Sequence, residues 1–132
     1  NVDPSFDAAK LAIAAGATFV GRESVTNPEK IERLLAKGFE HEGYSFFDIF
    51  SNCHVNLGRK NKMSEAVQML KWLDSRTISK AKFDALSEDE RAGLFPLGIL
   101  HEDNGRTEYT KAYQKVIDAA QSGEAINFEG LR

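Results

Sequence analysis

The stretch DAAKLAIAAGATFVG, residues 7–21, decides the fold. Its first part, Asp7 to Ala15, has the composition and apolar spacing of a helix, and Gly16 follows as a C-cap. Ala17 to Gly21 is a short apolar run of strand-forming residues without charge. Such a run predicts a strand that is buried on both faces of a sheet.

The same helix–strand order follows directly along the chain. Asn27 can cap the free N–H groups of a second helix, and Pro28 at its first position has no N–H to leave unpaired. Tyr44 to Phe50 is aromatic-rich and predicts a second strand. Short helix–strand connections imply parallel strands with right-handed crossovers, which is half of a doubly wound α/β domain. Two parallel strands are not stable alone, so further strands are expected before Asn1.

A smaller, mainly helical extension is predicted from Cys53 onward. Residues 52–62 are polar and predict a loop. Pro96 and Gly98 interrupt the apolar run Phe95 to Leu100, which favours an edge strand. The predicted organisation is therefore an α/β half-domain over residues 1–52 and an extension over residues 53–132. The remaining predicted elements are helices over 64–75 and 79–86, a last helix capped by Thr107 with Tyr109, Tyr113, Val116, Ile117 and Ala120 on one face and Gly123 at its end, and an exposed tail over 124–132.

Composition excludes several classes of function. The chain has 132 residues and a formal net charge of -3, and it has no basic stripe or tail, so nothing favours nucleic acid as a partner. No apolar run approaches the roughly 20 residues of a membrane-spanning helix. The single cysteine, Cys53, cannot form an internal disulfide, and this favours a reducing cytoplasm.

Cys53 is the main candidate for chemistry. It follows the predicted strand Tyr44 to Phe50, and ligand sites in open α/β sheets gather at the carboxyl ends of strands. A thiolate there can be a soft metal or cluster ligand, although the commoner role of a lone thiol is an inert core residue. Iron–sulfur clusters usually need about four thiolates, so a cluster would require cysteines from elsewhere. His54 is adjacent, but neighbours on an extended segment point to opposite sides, which argues against a catalytic dyad.

The loop after Cys53 concentrates positive charge. Arg59, Lys60 and Lys62 follow Gly58 within four residues and could bind phosphate or carboxylate. Short basic runs are more often solvated surface. No phosphate-binding, dinucleotide-binding or nucleophile-elbow motif is present in the sequence.

The order of motifs resembles a known family. Asp7 to Ala17, with the helix from Pro28 and the strand Phe46 to Ile49, is similar to the last helix–strand passages of thiamine-diphosphate enzymes. The later motifs resemble the beta subunit of 2-oxoacid:ferredoxin oxidoreductases, most of all its 2-oxoglutarate-type members. The residues that carry this second resemblance are Phe47 to Cys53 (FDIFSNC), Asn56 to Met63 (NLGRKNKM), Val67 to Trp72 (VQMLKW), Phe95 to Asp103 (FPLGILHED) and Glu108-Tyr109.

The resemblance carries implications for activity and cofactors. The family's beta subunit binds thiamine diphosphate, Mg²⁺ and a [4Fe–4S] cluster, and it pairs with an alpha subunit. The enzyme oxidatively decarboxylates a 2-oxoacid, passes the acyl group to coenzyme A and sends electrons to ferredoxin. Cys53 matches the family's last cluster cysteine, although the proline that often precedes it is Asn52 here. The family's other three cysteines and its Gly-Asp-Gly motif are absent from this sequence, so the chain alone is expected to hold no cofactor and to be inactive.

Two classes of function remain open. The first is part of an oxidoreductase beta subunit, with the Gly58 to Lys62 loop contacting substrate or partner. The second is a stand-alone protein-interaction module that keeps this half-fold without a cofactor. In both cases the chain would expose a sheet edge, and we expect dimers or aggregates to form through that edge.

Overall fold

A computed structural model describes residues 6–123 of the chain. These residues form a mixed α/β fold with a four-stranded sheet in the order β2–β1–β4–β3. The elements in chain order are α1 (Ala8–Ala14), β1 (Phe19–Ser24), α2 (Pro28–Glu40), β2 (Ser45–Phe50), a single π-helical turn (His54–Gly58), α3 (Ala66–Arg76), β3 (Thr77–Ser79), α4 (Lys80–Asp84), β4 (Phe95–Glu102) and α5 (Tyr109–Ser122).

The predicted pair of parallel strands is present. β1 runs parallel to β2, with Phe19 opposite Ser45 and Ser24 opposite Phe50. All six residues of β1 are buried, as the prediction of a strand covered on both faces requires. The predicted bounds were wrong, because the strand begins at Phe19 rather than Ala17 and continues beyond Gly21 through two charged residues.

Helices α1 and α2 cover opposite faces of this pair. Ala9 of α1 packs in one cluster with Ala17 and Val20. On the other face α2 approaches so closely that a Cβ on Gly21 would lie 2.6 Å from Leu34 Cδ1. Because successive strand residues point to opposite faces, Val20 and Gly21 serve the two helices in turn. This is the layering expected of a doubly wound sheet.

The caps of the first two helices differ from each other. The Asp7 side chain accepts hydrogen bonds from the backbone N–H groups of Ala9 and Lys10, and Gly16 ends the α1 region with φ of +93°. Asn27 makes no capping side-chain bond and instead donates to Thr26 Oγ1, so its predicted capping role was wrong. Its backbone still starts α2, because the Asn27 carbonyl accepts from two residues of the first turn.

β4 lies inside the sheet, which corrects the prediction of an edge strand. Its first half pairs with β3, with Pro96 opposite Ile78, and its second half pairs antiparallel with β1 from Gly98 onward. The pairing of β4 with β1 covers only residues 98–102. Pro96 lies outside this ladder, so its missing N–H is not needed on that side. The short strand β3 was not predicted. The division at residue 52 stays a prediction, although β4 shares a sheet with β1.

The extension differs from its prediction in three further places. The loop over 52–62 contains the π-helical turn. Glu108, not Thr107, caps α5, because its carboxylate accepts from the N–H groups of Thr110 and Lys111. On the predicted apolar face of α5, Val116 and Ile117 are half-buried, but Tyr109 and Tyr113 stack on each other while largely exposed. Gly123 ends the helix as predicted, with φ of +75°, and the predicted tail lies outside the described residues.

Candidate functional site

Cys53 is placed by the end of β2. The strand stops at Phe50, two residues intervene, and the Cys53 side chain is exposed. β1 holds the register of β2 along its whole length, and Val25 N–H donates to the Phe50 carbonyl at 2.9 Å just past the ladder. The thiol therefore stands at the carboxyl end of a fixed parallel pair, where ligands gather in α/β sheets.

A compact turn follows the cysteine. Gly58 N–H donates to the Cys53 carbonyl at 2.9 Å, and Met63 N–H donates to the Gly58 carbonyl at 2.7 Å. The Asn61 side-chain amide donates to the Leu57 carbonyl at 2.8 Å. Gly58 is required here, because a Cβ at this position would lie 2.1 Å from the Met63 carbonyl oxygen.

The turn also affects the thiol. Its backbone N–H groups at Leu57 and then Asn56 lower the pKa of Cys53, and they outweigh a small opposing effect of desolvation. The Cys53 side chain makes no regular capping hydrogen bond, so its interaction with these two N–H groups is a looser one. An exposed thiol with a lowered pKa is more often a thiolate, the form that binds metal and reacts with electrophiles.

The three predicted cations lie within the part of this turn that the Gly58–Met63 hydrogen bond closes. Arg59, Lys60 and Lys62 are all exposed, and no ion pair involves them among residues 6–123. Lys62 adopts φ of +59°, which ordinary side chains rarely do, and the Gly58–Met63 bond closes the chain around it. The structure thus brings the predicted loop residues beside Cys53 on one hydrogen-bonded segment.

This segment does not form a complete metal centre. Within the described range, no three His, Cys, Asp or Glu residues are grouped so that they could hold a metal ion. His54 lies with its Nδ1 3.5 Å from the Asn52 side-chain amide. The chain offers one thiolate, so Cys53 can serve as one ligand of several and not as a site by itself.

Sequence reasoning missed a buried charged cluster between the start of α1 and the strands β1 and β2. Arg22 is 3% exposed, and it donates to Asp7 at 2.6 Å and to Asp48 at 2.8 Å. Glu23, the next residue of β1, is also buried; desolvation raises its pKa, and its Oε2 has no hydrogen-bond partner among residues 6–123. The available signal was Asp48 inside an otherwise apolar strand, because a buried carboxylate requires a cation.

The helices between residues 6 and 123 are all too short or too polar to cross a bilayer.

The sequence matches no protein-family profile. It is 42% identical over 113 residues to the 2-oxoglutarate synthase subunit KorB of Archaeoglobus fulgidus, a match that covers 86% of this chain and 41% of that protein. It is 30% identical over 122 residues to the subunit of the same name from Methanocaldococcus jannaschii, covering 92% of this chain and 45% of that protein. The chain therefore spans less than half the length of these relatives.

A solved structure has the same fold. It is the 2-oxoglutarate:ferredoxin oxidoreductase from Magnetococcus marinus with 2-oxoglutarate, coenzyme A and succinyl-CoA bound. The superposition has a TM-score of 0.65 and 17% sequence identity, and it covers 98% of this chain and 43% of that one. The mixed α/β fold is thus that of part of an oxidoreductase chain.

Proposed function

We propose that this chain is the carboxyl-terminal part of the beta subunit of a 2-oxoacid:ferredoxin oxidoreductase that acts on 2-oxoglutarate. The support is the similarity to KorB subunits along most of the chain, together with the fold shared with the Magnetococcus marinus enzyme. In this proposal the complete enzyme oxidatively decarboxylates the 2-oxoacid, forms acyl-CoA and reduces ferredoxin. An alpha subunit is the expected partner, and the cytoplasm is the expected compartment.

The observation that carries the proposal is the placement of Cys53. An exposed thiol of lowered pKa, held just beyond a buried parallel strand, suits one ligand of a [4Fe–4S] cluster. The cluster would supply one-electron transfer. The chain's own part is to hold the Cys53 sulfur in place, through β2 and the Gly58 turn, and to direct the Leu57 N–H toward it.

The described residues do not supply a complete Mg²⁺ site. Magnesium requires oxygen ligands in a nearly octahedral array, and within residues 6–123 no three His, Cys, Asp or Glu residues are grouped so that they could hold a metal ion. We assign thiamine diphosphate and Mg²⁺ to the part of the subunit that the relatives have and this chain does not match. The chain alone is accordingly expected to be inactive.

Alkylation offers a direct test of cluster ligation. In the complete enzyme, iodoacetamide should leave Cys53 unmodified while the cluster is bound, because coordination to iron lowers the nucleophilicity of the sulfur and shields it from the reagent. After removal of iron by a chelator, mass spectrometry should find Cys53 alkylated. Rapid alkylation of Cys53 in an iron-loaded sample would contradict the assignment.

The cations of the Gly58–Lys62 loop are proposed to contact coenzyme A or ferredoxin. Coenzyme A and ferredoxin both carry negative charge. Hydrogen bonds from an unpaired cation to an ionised acceptor are stronger than hydrogen bonds between neutral groups. The double variant Arg59→Gln/Lys62→Gln should raise KM for one of them about tenfold at low salt. The matched control is Arg33→Gln/Lys115→Gln, which removes the same charge from helices α2 and α5. Equal KM values in both variants would leave the loop as solvated surface.

A stand-alone interaction module is the second candidate. It is favoured by the free edge of β2, which pairs only with β1 among the described strands, and by the exposed pair Tyr109 and Tyr113. Exposed edges and aromatic patches bind other chains or aggregate. Sequencing of the gene upstream of Asn1 separates the two candidates, because only the first requires a Gly-Asp-Gly motif and a Cys-x-x-Cys pair there.

A further inference from the structure

A cavity of about 420 Å³ lies between α1, α4 and β4. Its walls are largely apolar, with Ile13 on α1 and Leu94, Pro96 and Leu100 at and within β4. The volume is within the range of small-molecule sites, which are commonly apolar with a few polar groups that fix orientation. Neither Cys53 nor its loop lines this cavity.

Arg22 is the most buried charged residue that lines the cavity. Its side chain is 4% exposed, with Nε bonded to Asp48 and one Nη2 hydrogen bonded to Asp7. The guanidinium lies 5.0 Å from the centre of the Phe50 ring. Nη1 makes no hydrogen bond to another group among residues 6–123, and Arg22 lines the cavity. A buried guanidinium with free donors calls for an acceptor.

The charges around the cavity are unequal. Four cations and two carboxylates line the cavity. Asp48, which is paired with Arg22 from outside the lining, is a third carboxylate, so one positive charge remains unbalanced. Lys80 is paired with Asp84 at 2.5 Å. Arg91 donates to the backbone carbonyls of Phe83 and Asp84 and has no carboxylate partner in the described part of the chain. A single negative charge would balance the site.

We propose that this cavity binds a small amphipathic carboxylate. The apolar body lies against Ile13, Leu94 and Leu100, and the carboxylate accepts from Nη1 of Arg22 within the positive field of Arg91. This adds a ligand site to the proposed function and does not depend on it, since no residue of the Cys53 loop takes part. A structural cavity filled by water is the competing explanation.

Titration with a matched pair of probes tests the proposal on the full-length protein. The probes are 3-phenylpropionate and its neutral amide, followed through the methyl NMR signals of Ile13 and Leu100. The acid should shift both signals saturably and bind about tenfold more tightly than the amide, as expected for a charge-assisted hydrogen bond. Arg91→Gln should weaken binding of the acid severalfold and leave the amide unchanged.

Two further variants make the outcome decisive. Leu94→Trp should fill the cavity and abolish binding of both probes, while Arg106→Gln, an exposed change outside the cavity, should alter neither. Circular dichroism identifies any variant that fails to fold, and Arg91→Gln then carries the test. Absence of a saturable shift up to about 10 mM of acid, weaker than any useful site, would establish the water-filled cavity. Equal binding of acid and amide would equally overturn the proposal.

Discussion

The segment from α1 to β2 and the segment that follows Cys53 differ in how they are packed. Every residue of β1 is buried between α1, α2 and the neighbouring strands, whereas α5 has no buried residue. Tyr109 is 74% exposed, and α5 is tied to the rest through an ion pair between Lys111 and Glu42. β1 is therefore enclosed within the fold, whereas α5 lies on its surface. Both segments present apolar side chains that packing within residues 6–123 does not cover, among them Phe39 before Cys53 and Tyr113 after it.

Truncation of a core residue should have the largest effect. Phe19→Ala should lower the free energy of unfolding of the full-length protein by about 3–5 kcal/mol, because Phe19 is fully buried against Phe47 and His41. Tyr109→Ala, the matched change on α5, should cost less than about 1 kcal/mol unless another part of the protein covers it. Urea unfolding measures both. A large loss for Tyr109→Ala would mean that α5 is buried in the full protein.

The turn after Cys53 should be sensitive to a single methyl group. Gly58→Ala should cost about 1–3 kcal/mol, because the new Cβ displaces the Met63 carbonyl and breaks the bond between the two residues. Faster hydrogen exchange at the Met63 amide would locate the damage. Gly105→Ala is the control, since its Cβ would meet only the Asp103 side chain, at 3.1 Å. Unchanged exchange in Gly58→Ala would show that the turn is looser than described.

Acid should weaken the link between α1 and the sheet. Burial raises the pKa of Asp7, but the Lys10 N–H and the Arg22 guanidinium outweigh it, so the net pKa lies below 3.8. Because the folded pKa is the lower one, the contribution of Asp7 is complete above the unfolded pKa and is lost as pH falls through the folded value. It should amount to about 1 kcal/mol, the size of a net hydrogen bond.

The variant Asp7→Asn isolates this effect. Below about pH 4 the stability of the wild type should fall more steeply than that of Asp7→Asn, because the variant has no carboxyl group to protonate at this position. Glu32→Gln, an exposed change of the same charge on α2, is the control. Parallel curves for the wild type and Asp7→Asn in acid would remove Asp7 from the account.

Local signals predicted the first segment well and the second poorly. Gly16 and Pro28 mark helix ends through their own backbone chemistry, and the apolar run from Ala17 indicates a buried strand. The continuation of β1 through Arg22 and Glu23 could not be predicted locally. The charge of Arg22 is balanced by Asp7 and Asp48, which come from other parts of the chain. β3 has three residues and exists through its pairing with β4, which no local pattern encodes. The position of Cys53 was predictable from the end of β2, but the turn that lowers its pKa was not.

The most direct test of the account is the Cys53→Ser variant of the complete enzyme, with Val55→Ala, an exposed change in the same turn, as its control. Iron content and the electron paramagnetic resonance spectrum of the reduced enzyme are measured for both. We expect Cys53→Ser to lose the cluster signal and the reduction of ferredoxin, while decarboxylation of the 2-oxoacid is less affected and Val55→Ala behaves as the wild type. A full complement of iron with an unchanged spectrum in Cys53→Ser would show that Cys53 is not a cluster ligand.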